Sequence, residues 1–138
     1  MEAVSRGASE AGGHVIGVTA PSVFPHRPYA NKWVAEEQPA ETLPLRVAHL
    51  IEISDAAIAL PGSIGTLTEL IVAWNTSYVT RFTRNTLYPL LAVGPVWHDL
   101  AHYLAELLHI DGSLIHYTAN VDEAITELTH RLGIPRGK

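Results

Sequence analysis

Apolar residues recur along this chain in segments that alternate between helical spacing and short continuous runs. Met1, Val4, Ala8 and Ala11 fall at helical spacing, and Gly12-Gly13 supplies a stop. His14 to Thr19 is a short apolar strand ending at the breaker Ala20-Pro21. Residues 21 to 40 hold Pro21, Pro25, Pro28 and Pro39 without a clear period, which predicts a long ordered loop of the kind that carries function. Leu43, Val47, Leu50 and Ile51 mark an amphipathic helix, with Pro44 tolerated in its first turn. Ala56 to Leu60 reads as a buried strand, and a helix follows from Gly65 to about Tyr78. Leu87 to Val93 is a third strand, broken by Gly94-Pro95, and Trp97, Leu100, Leu104 and Leu108 give another helix. Leu114 to Tyr117 forms a short fourth strand. A last helix spans Val121 to Leu132, with Ala124, Ile125 and Leu128 facing inward.

Strands that are apolar throughout and interleaved with helices predict a parallel sheet covered on both faces, a doubly wound α/β fold of three layers. Such sheets bind ligands outside the carboxyl ends of their strands. The proline-rich loop after Thr19 and the turn after Leu60 both lie at that edge. A doubly wound fold normally opens on a strand and a glycine-rich turn, whereas this chain opens on a helix. The expectation is a fold whose first strands are missing.

At 138 residues the chain is expected to form one domain, residues 1–138. Hydrophobic residues make up 47% and charged residues 17%, the balance of a globular protein. The net charge is −5, and the nine basic residues are scattered, which argues against a nucleic-acid or anionic-membrane surface. The absence of cysteine removes disulfides, thiolate nucleophiles and cysteine-bound metals. No run approaches the roughly 18 apolar residues of a membrane span, and the N-terminus lacks an apolar signal core. A cytoplasmic protein is the default.

The densest chemical signal is Pro61-Gly62-Ser63-Ile64-Gly65-Thr66-Leu67-Thr68-Glu69. A strand, a glycine turn and a helix place free backbone N–H groups and a helix dipole where an anion can sit. Glu69 lies one turn inside the same helix, so a phosphorylated substrate with an acid beside it is the expectation. Thr66-Leu67-Thr68-Glu69 also has the form of a capping box, and both readings of Glu69 stand. Arg46 falls on the stripe Leu43-Arg46-Leu50-Ile53. There it is either a surface residue with a buried stem or an inward guanidinium that needs an anion such as a phosphate or Glu69. His98 and His102 stand at i, i+4, without the intervening Glu of a zinc-protease motif, and no metal site is expected. His26, Arg27 and Lys32 in the proline-rich loop are further candidates for touching substrate. Trp74, Tyr78 and Trp97 read as core or subunit-contact residues.

The nonapeptide resembles the PGGxGTxxE signature of the LOG (Lonely Guy) family, whose members often carry the label "lysine decarboxylase". Every defined position matches except Ser63, which replaces the second glycine. The similarity continues through Met1 to Ala8 and Gly13 to Val18, Asn31 and Trp33, Arg46 with Asp55 nine residues on, Trp97, and Asp122-Glu123-Ala124. It implies a Rossmann-like fold and a phosphoribohydrolase that splits the N-glycosidic bond of nucleoside 5′-monophosphates, cytokinin nucleotides or AMP, releasing base and ribose 5-phosphate. By the resemblance, Glu69 and Arg46 are catalytic. Gly62, Ser63, Ile64, Gly65 and Thr66 bind the phosphate, Asn31 is a further substrate contact, and no cofactor is needed. The family also implies a homodimer or higher homo-oligomer, packed through the helix after the glycine turn. Because its members carry about two more strands before the position of Met1, the chain is expected to be N-terminally truncated. A decarboxylase using pyridoxal phosphate needs a Schiff-base lysine, and Lys32 and Lys138 are the only lysines. The alternative function is a non-enzymatic binder of a phosphorylated cofactor, of which molybdenum cofactor carriers are the related example.

Overall fold

A computed structural model describes residues 2–26, 29–83 and 88–134. The chain divides into two compact units, Met1–Ile53 and Ser54–Lys138.

The first unit runs α1 (Glu2–Glu10), β1 (Ile16–Thr19), β2 (Glu36–Pro39) and α2 (Leu43–Glu52). Helix α1 stops where Gly12 takes φ +81° and the Gly13 N–H donates to the Ala8 carbonyl, the left-handed ending that glycine favours. Strands β1 and β2 pair in parallel, from Ile16 opposite Glu36 to Thr19 opposite Pro39. Strand β2 corrects the reading of residues 21–40 as one loop. Its sequence, Glu-Glu-Gln-Pro, is polar and largely exposed, so it carries none of the apolar signal of a parallel strand. Pro39 is admissible because it closes a strand at the margin of a two-stranded sheet. Helix α2 starts as expected. Thr42 is extended and its side chain accepts from the Leu45 N–H, with Pro44 in the first turn. Val47 is its buried residue, and Val18 and Ala20 at the end of β1 are buried as well.

The second unit runs β3 (Ala57–Ala59), α3 (Ile64–Thr83), β4 (Leu90–Val93), α4 (Pro95–Leu108), a 3-10 turn at Gly112–Leu114, β5 (Ile115–Thr118) and α5 (Val121–Arg131). The three strands are parallel in the order β3-β4-β5. All four residues of β4 are buried, which requires cover on both faces. Ala124 and Leu128 of α5 pack with Leu91 and Val93 on one face. Leu90 and Ala92 point to the other, where α3 and α4 supply Leu70, Ala73, Trp74, Trp97 and Ala101. The fold is Rossmann-like, with parallel sheets and alternating helices and α/β/α layering in this unit.

Several details differ from the expectation. Helix α3 reaches Thr83 rather than Tyr78, and Arg81 in its last turn donates to the Asp111 carboxylate, a contact that the apolar period does not announce. Ile125 is 49% exposed rather than inward; Ala124 and Leu128, one turn apart, take the sheet-facing positions. The expected third strand begins at Leu90, and its first residue, Leu87, lies outside the described residues. Helix α5 begins with the Asn120 side chain accepting from the Glu123 N–H, while Glu123 accepts from the Ala119 N–H. Among the described residues, no helix is long and apolar enough to cross a membrane.

Candidate active site

Strand β3 ends at Ala59, and the chain turns through Leu60-Pro61-Gly62-Ser63 into α3 at Ile64. The Leu67 N–H donates to the Ser63 carbonyl at 3.1 Å, which makes Ser63 the residue that opens the helix. Helix geometry therefore leaves the N–H groups of Ile64, Gly65 and Thr66 directed out of the helix end. Thr66 stands inside the first turn rather than at its cap, so the capping box does not have the register that Thr66-x-x-Glu69 predicted. Glu69 is half-buried on α3.

The two glycines of this turn are bare for different reasons. A Cβ on Gly62 would stand 2.2 Å from Thr66 Oγ1 and 3.0 Å from Thr66 Cβ, so the Thr66 side chain folds against the Gly62 backbone. A Cβ on Gly65 would meet nothing within 4 Å. Nothing in the described chain explains a residue there that weakens a helix. Ser63 is exposed, and the Ile64 side chain is 75% exposed, so any contact by Ile64 with a polar ligand runs through its backbone.

The neighbouring strand end completes the turn's surroundings. Gly94 follows β4 with φ +96° and opens α4, with Pro95 as the first helical residue. Its N–H donates to the Thr118 carbonyl at 2.9 Å, and a Cβ there would lie 3.6 Å from Pro61 Cγ. Trp97 is buried and its indole N–H donates to the Leu60 carbonyl at 3.1 Å, tying α4 to the start of the glycine turn. In the sequence Gly94-Pro95 reads only as a breaker. The signal that could have found it is its place immediately after an apolar parallel strand.

Arg46 belongs to the other unit. It is half-buried on α2, and its Nε–H donates to the Val18 carbonyl of β1 at 2.9 Å. Leu43 and Ile53 of its predicted stripe are exposed. The loop after β1 carries Asn31, whose Oδ1 accepts from the Trp33 N–H at 3.1 Å and whose Nδ2 donates to Ser5 Oγ at 3.3 Å. Lys32 lies over the Trp33 ring, 4.9 Å from its centre. His26 is exposed, and Arg27 lies outside the described residues.

Trp74 is buried like Trp97, whereas Tyr78 is 41% exposed, edge-on to Phe82 and beneath the Arg81 guanidinium. The His98 and His102 rings stack at 5.9 Å, and each lies near a carboxylate, Asp99 and Glu106 respectively. No group of three or more histidines and carboxylates able to hold a metal occurs among the described residues.

A family model described as "possible lysine decarboxylase" matches residues 1–128. The chain belongs to this family, the LOG family. A cytokinin riboside 5′-monophosphate phosphoribohydrolase of Mycobacterium tuberculosis is 34% identical over 98 residues, 71% of this chain and 50% of that protein. A probable enzyme of the same name from Oryza sativa subsp. japonica is 40% identical over 76 residues, 54% of this chain and 30% of that protein. One from Arabidopsis thaliana is 37% identical over 76 residues, 54% of this chain and 35% of that protein. The chain thus spans between about a third and half of the length of these relatives.

Proposed function

We propose that this LOG-family chain is a nucleoside 5′-monophosphate phosphoribohydrolase. Cleavage of the N-glycosidic bond builds positive charge on the ribose as the base departs, and a carboxylate beside the sugar stabilises that charge and orients water. Glu69 takes this role. Arg46 binds substrate or stabilises the departing base. The 5′-phosphate is held by backbone N–H groups of Gly62, Ser63, Ile64, Gly65 and Thr66, with the Thr66 and Ser63 hydroxyls as further donors. Asn31 is a further substrate contact.

The observation that carries the reading is Gly65, a bare glycine in the first turn of α3 with open space where a side chain would stand. A phosphate approaching a helix end needs such a surface, and relatives named as phosphoribohydrolases for cytokinin riboside 5′-monophosphate supply the substrate class. Ile71, Val72, Trp74, Tyr78, Leu104 and Leu108 line an apolar groove of about 450 Å³ between α3 and α4. Its exposed residues favour a homodimer packed through α3. The protein is read as cytoplasmic.

Incubation with AMP and isopentenyl-AMP, with chromatography for free base, tests the reaction. Release of adenine or isopentenyladenine together with ribose 5-phosphate is the expected result. Tight binding of a pterin-type cofactor without base release would replace the enzyme by a carrier.

A further inference from the structure

We propose that Glu37 is a positioning residue of this site, and that it sets nucleotide affinity by fixing the segment Ala30–Val34 against the carboxyl end of β1. The proposal rests on the phosphoribohydrolase reading. Three consecutive residues of β1 carry the argument. Gly17 receives the segment by packing, since a Cβ there would stand 2.9 and 3.1 Å from the two methyls of Val34 and 3.5 Å from Ala30 Cβ. Val18 offers the carbonyl that holds Arg46 Nε at 2.9 Å. Thr19 donates its hydroxyl to Glu37 Oε1 at 2.8 Å, and the same oxygen accepts the Ala30 N–H at 3.1 Å. One carboxylate oxygen on β2 therefore joins the end of β1 to the start of the segment that carries Asn31, Lys32 and Trp33.

The preceding residue, Glu36, is a useful contrast. Its carboxylate binds the side chains of His14 and Gln38. The role of Glu37 is that of an acceptor rather than of a charge, because both its donors are neutral. A glutamine can keep both bonds and an alanine neither. A segment that drifts from β1 loosens substrate contact before it disturbs bond cleavage, so the effect belongs in KM.

Steady-state hydrolysis of AMP and amide hydrogen exchange, both on the full chain, test this. Glu37→Ala is expected to raise KM about ten-fold with kcat within about two-fold, the scale of losing the acceptor of two hydrogen bonds. Glu37→Gln should return KM to within about two-fold of the parent, and Thr19→Val should shift it the same way as alanine but by less. Exchange at the Ala30 amide should quicken about ten-fold in Glu37→Ala and stay near the parent rate in Glu37→Gln. A fall in kcat at unchanged KM, or a glutamine variant as impaired as the alanine one, would overturn the proposal. Should the parent protein release no base, the reaction assigned above is wrong. The hold of Glu37 on the segment is then decided by exchange alone, and an Ala30 rate unmoved in Glu37→Ala rejects it.

Discussion

At the carboxyl end of β3 the turn owes its shape to side chains that are missing, and at the carboxyl end of β1 to side chains that are present. The first has Gly62, against which Thr66 folds, and Gly65, whose surface is open. The second is laced by Thr19, Glu37 and Arg46, each making a hydrogen bond within 3.1 Å. Backbone N–H groups are always charged in the same partial sense and never titrate, so a cradle made of them is insensitive to pH and intolerant of an added Cβ. A site end made of side chains can be tuned one atom at a time. The proposed nucleotide chemistry calls on both kinds of group, a fixed seat for phosphate and side chains that can be adjusted.

Removing the charge of Glu69 breaks the comparison most sharply, because Glu69 is the carboxylate that follows the turn within the first two turns of α3. Glu69→Gln keeps size and polarity. The rate of base release should fall by about 10²–10³-fold, the range for losing one electrostatic stabiliser of a transition state. Stability in a urea titration should stay within about 0.5 kcal/mol of the parent, as for other substitutions outside the packed core. A variant of undiminished rate would return Glu69 to a purely structural role.

The two glycines of the turn should then separate. Gly62→Ala drives a methyl into Thr66 and should cost about 1–3 kcal/mol of stability, as overpacking does. Gly65→Ala meets nothing and should stabilise the first turn of α3 by about 0.5 kcal/mol. If the open face of Gly65 is where phosphate approaches, that same variant should weaken AMP binding by at least about ten-fold, equivalent to about 1.4 kcal/mol. Thermal unfolding and equilibrium dialysis on both variants give the answer. A Gly65→Ala protein that is more stable and binds AMP undiminished would remove the cradle from the turn.

The end of β1 should respond through its supporting helix. Thr42 caps α2 by accepting the Leu45 N–H at 3.3 Å, and α2 carries Arg46. Thr42→Ala should lower stability by about 1 kcal/mol, read as a lower urea midpoint at unchanged slope. A changed slope would mean that the first unit loosens as a whole.

These contrasts bear on what the amino-acid order could disclose. Apolar runs such as Leu90–Val93 announce buried parallel strands, because a strand covered on both faces has no polar positions to spare. Thr42-Leu43-Pro44 announces a helix start by cap chemistry. The nonapeptide displayed its glycines, although not that one is forced by Thr66 and the other by nothing internal. Strand β2 was illegible, since Glu36 to Pro39 carries no hydrophobic period that would announce its pairing with β1. Glu37 was invisible for the same reason: a carboxylate in a polar stretch looks solvated until its two donors, 18 and 7 residues away, are seen on one oxygen. Gly94 belongs with these, a breaker in sequence and a neighbour of Pro61 in space.

The smallest expected effect separates loss of the fold from loss of the site under acid. His116 on β5 is held below its ordinary value of 6.5, first by burial and then by the Arg131 guanidinium, with Glu127 acting weakly the other way. Its Nδ1 lies 3.1 Å from Arg131 Nη2, and Arg131 Nε is 2.6 Å from Glu127. The unfolded chain therefore takes a proton at a higher pH than the folded one. The contribution of this group is complete above about pH 6.5 and declines as pH falls through the window beneath that value. His116→Gln cannot bind the proton, so its Tm should fall less between pH 7.5 and 5.5 than that of the parent, by about 2 °C or less given the partial exposure of the ring. Because the glycine turn presents backbone N–H groups, AMP affinity per folded molecule should not share that difference. If the parent and the variant lose binding in step with each other while only the parent loses stability, the acid sensitivity of the fold and that of the site are separate. If the variant instead retains AMP at pH 5.5 where the parent releases it, protonation at β5 reaches the carboxyl edge of the sheet, and the turn is not the self-contained seat that its bare backbone implies.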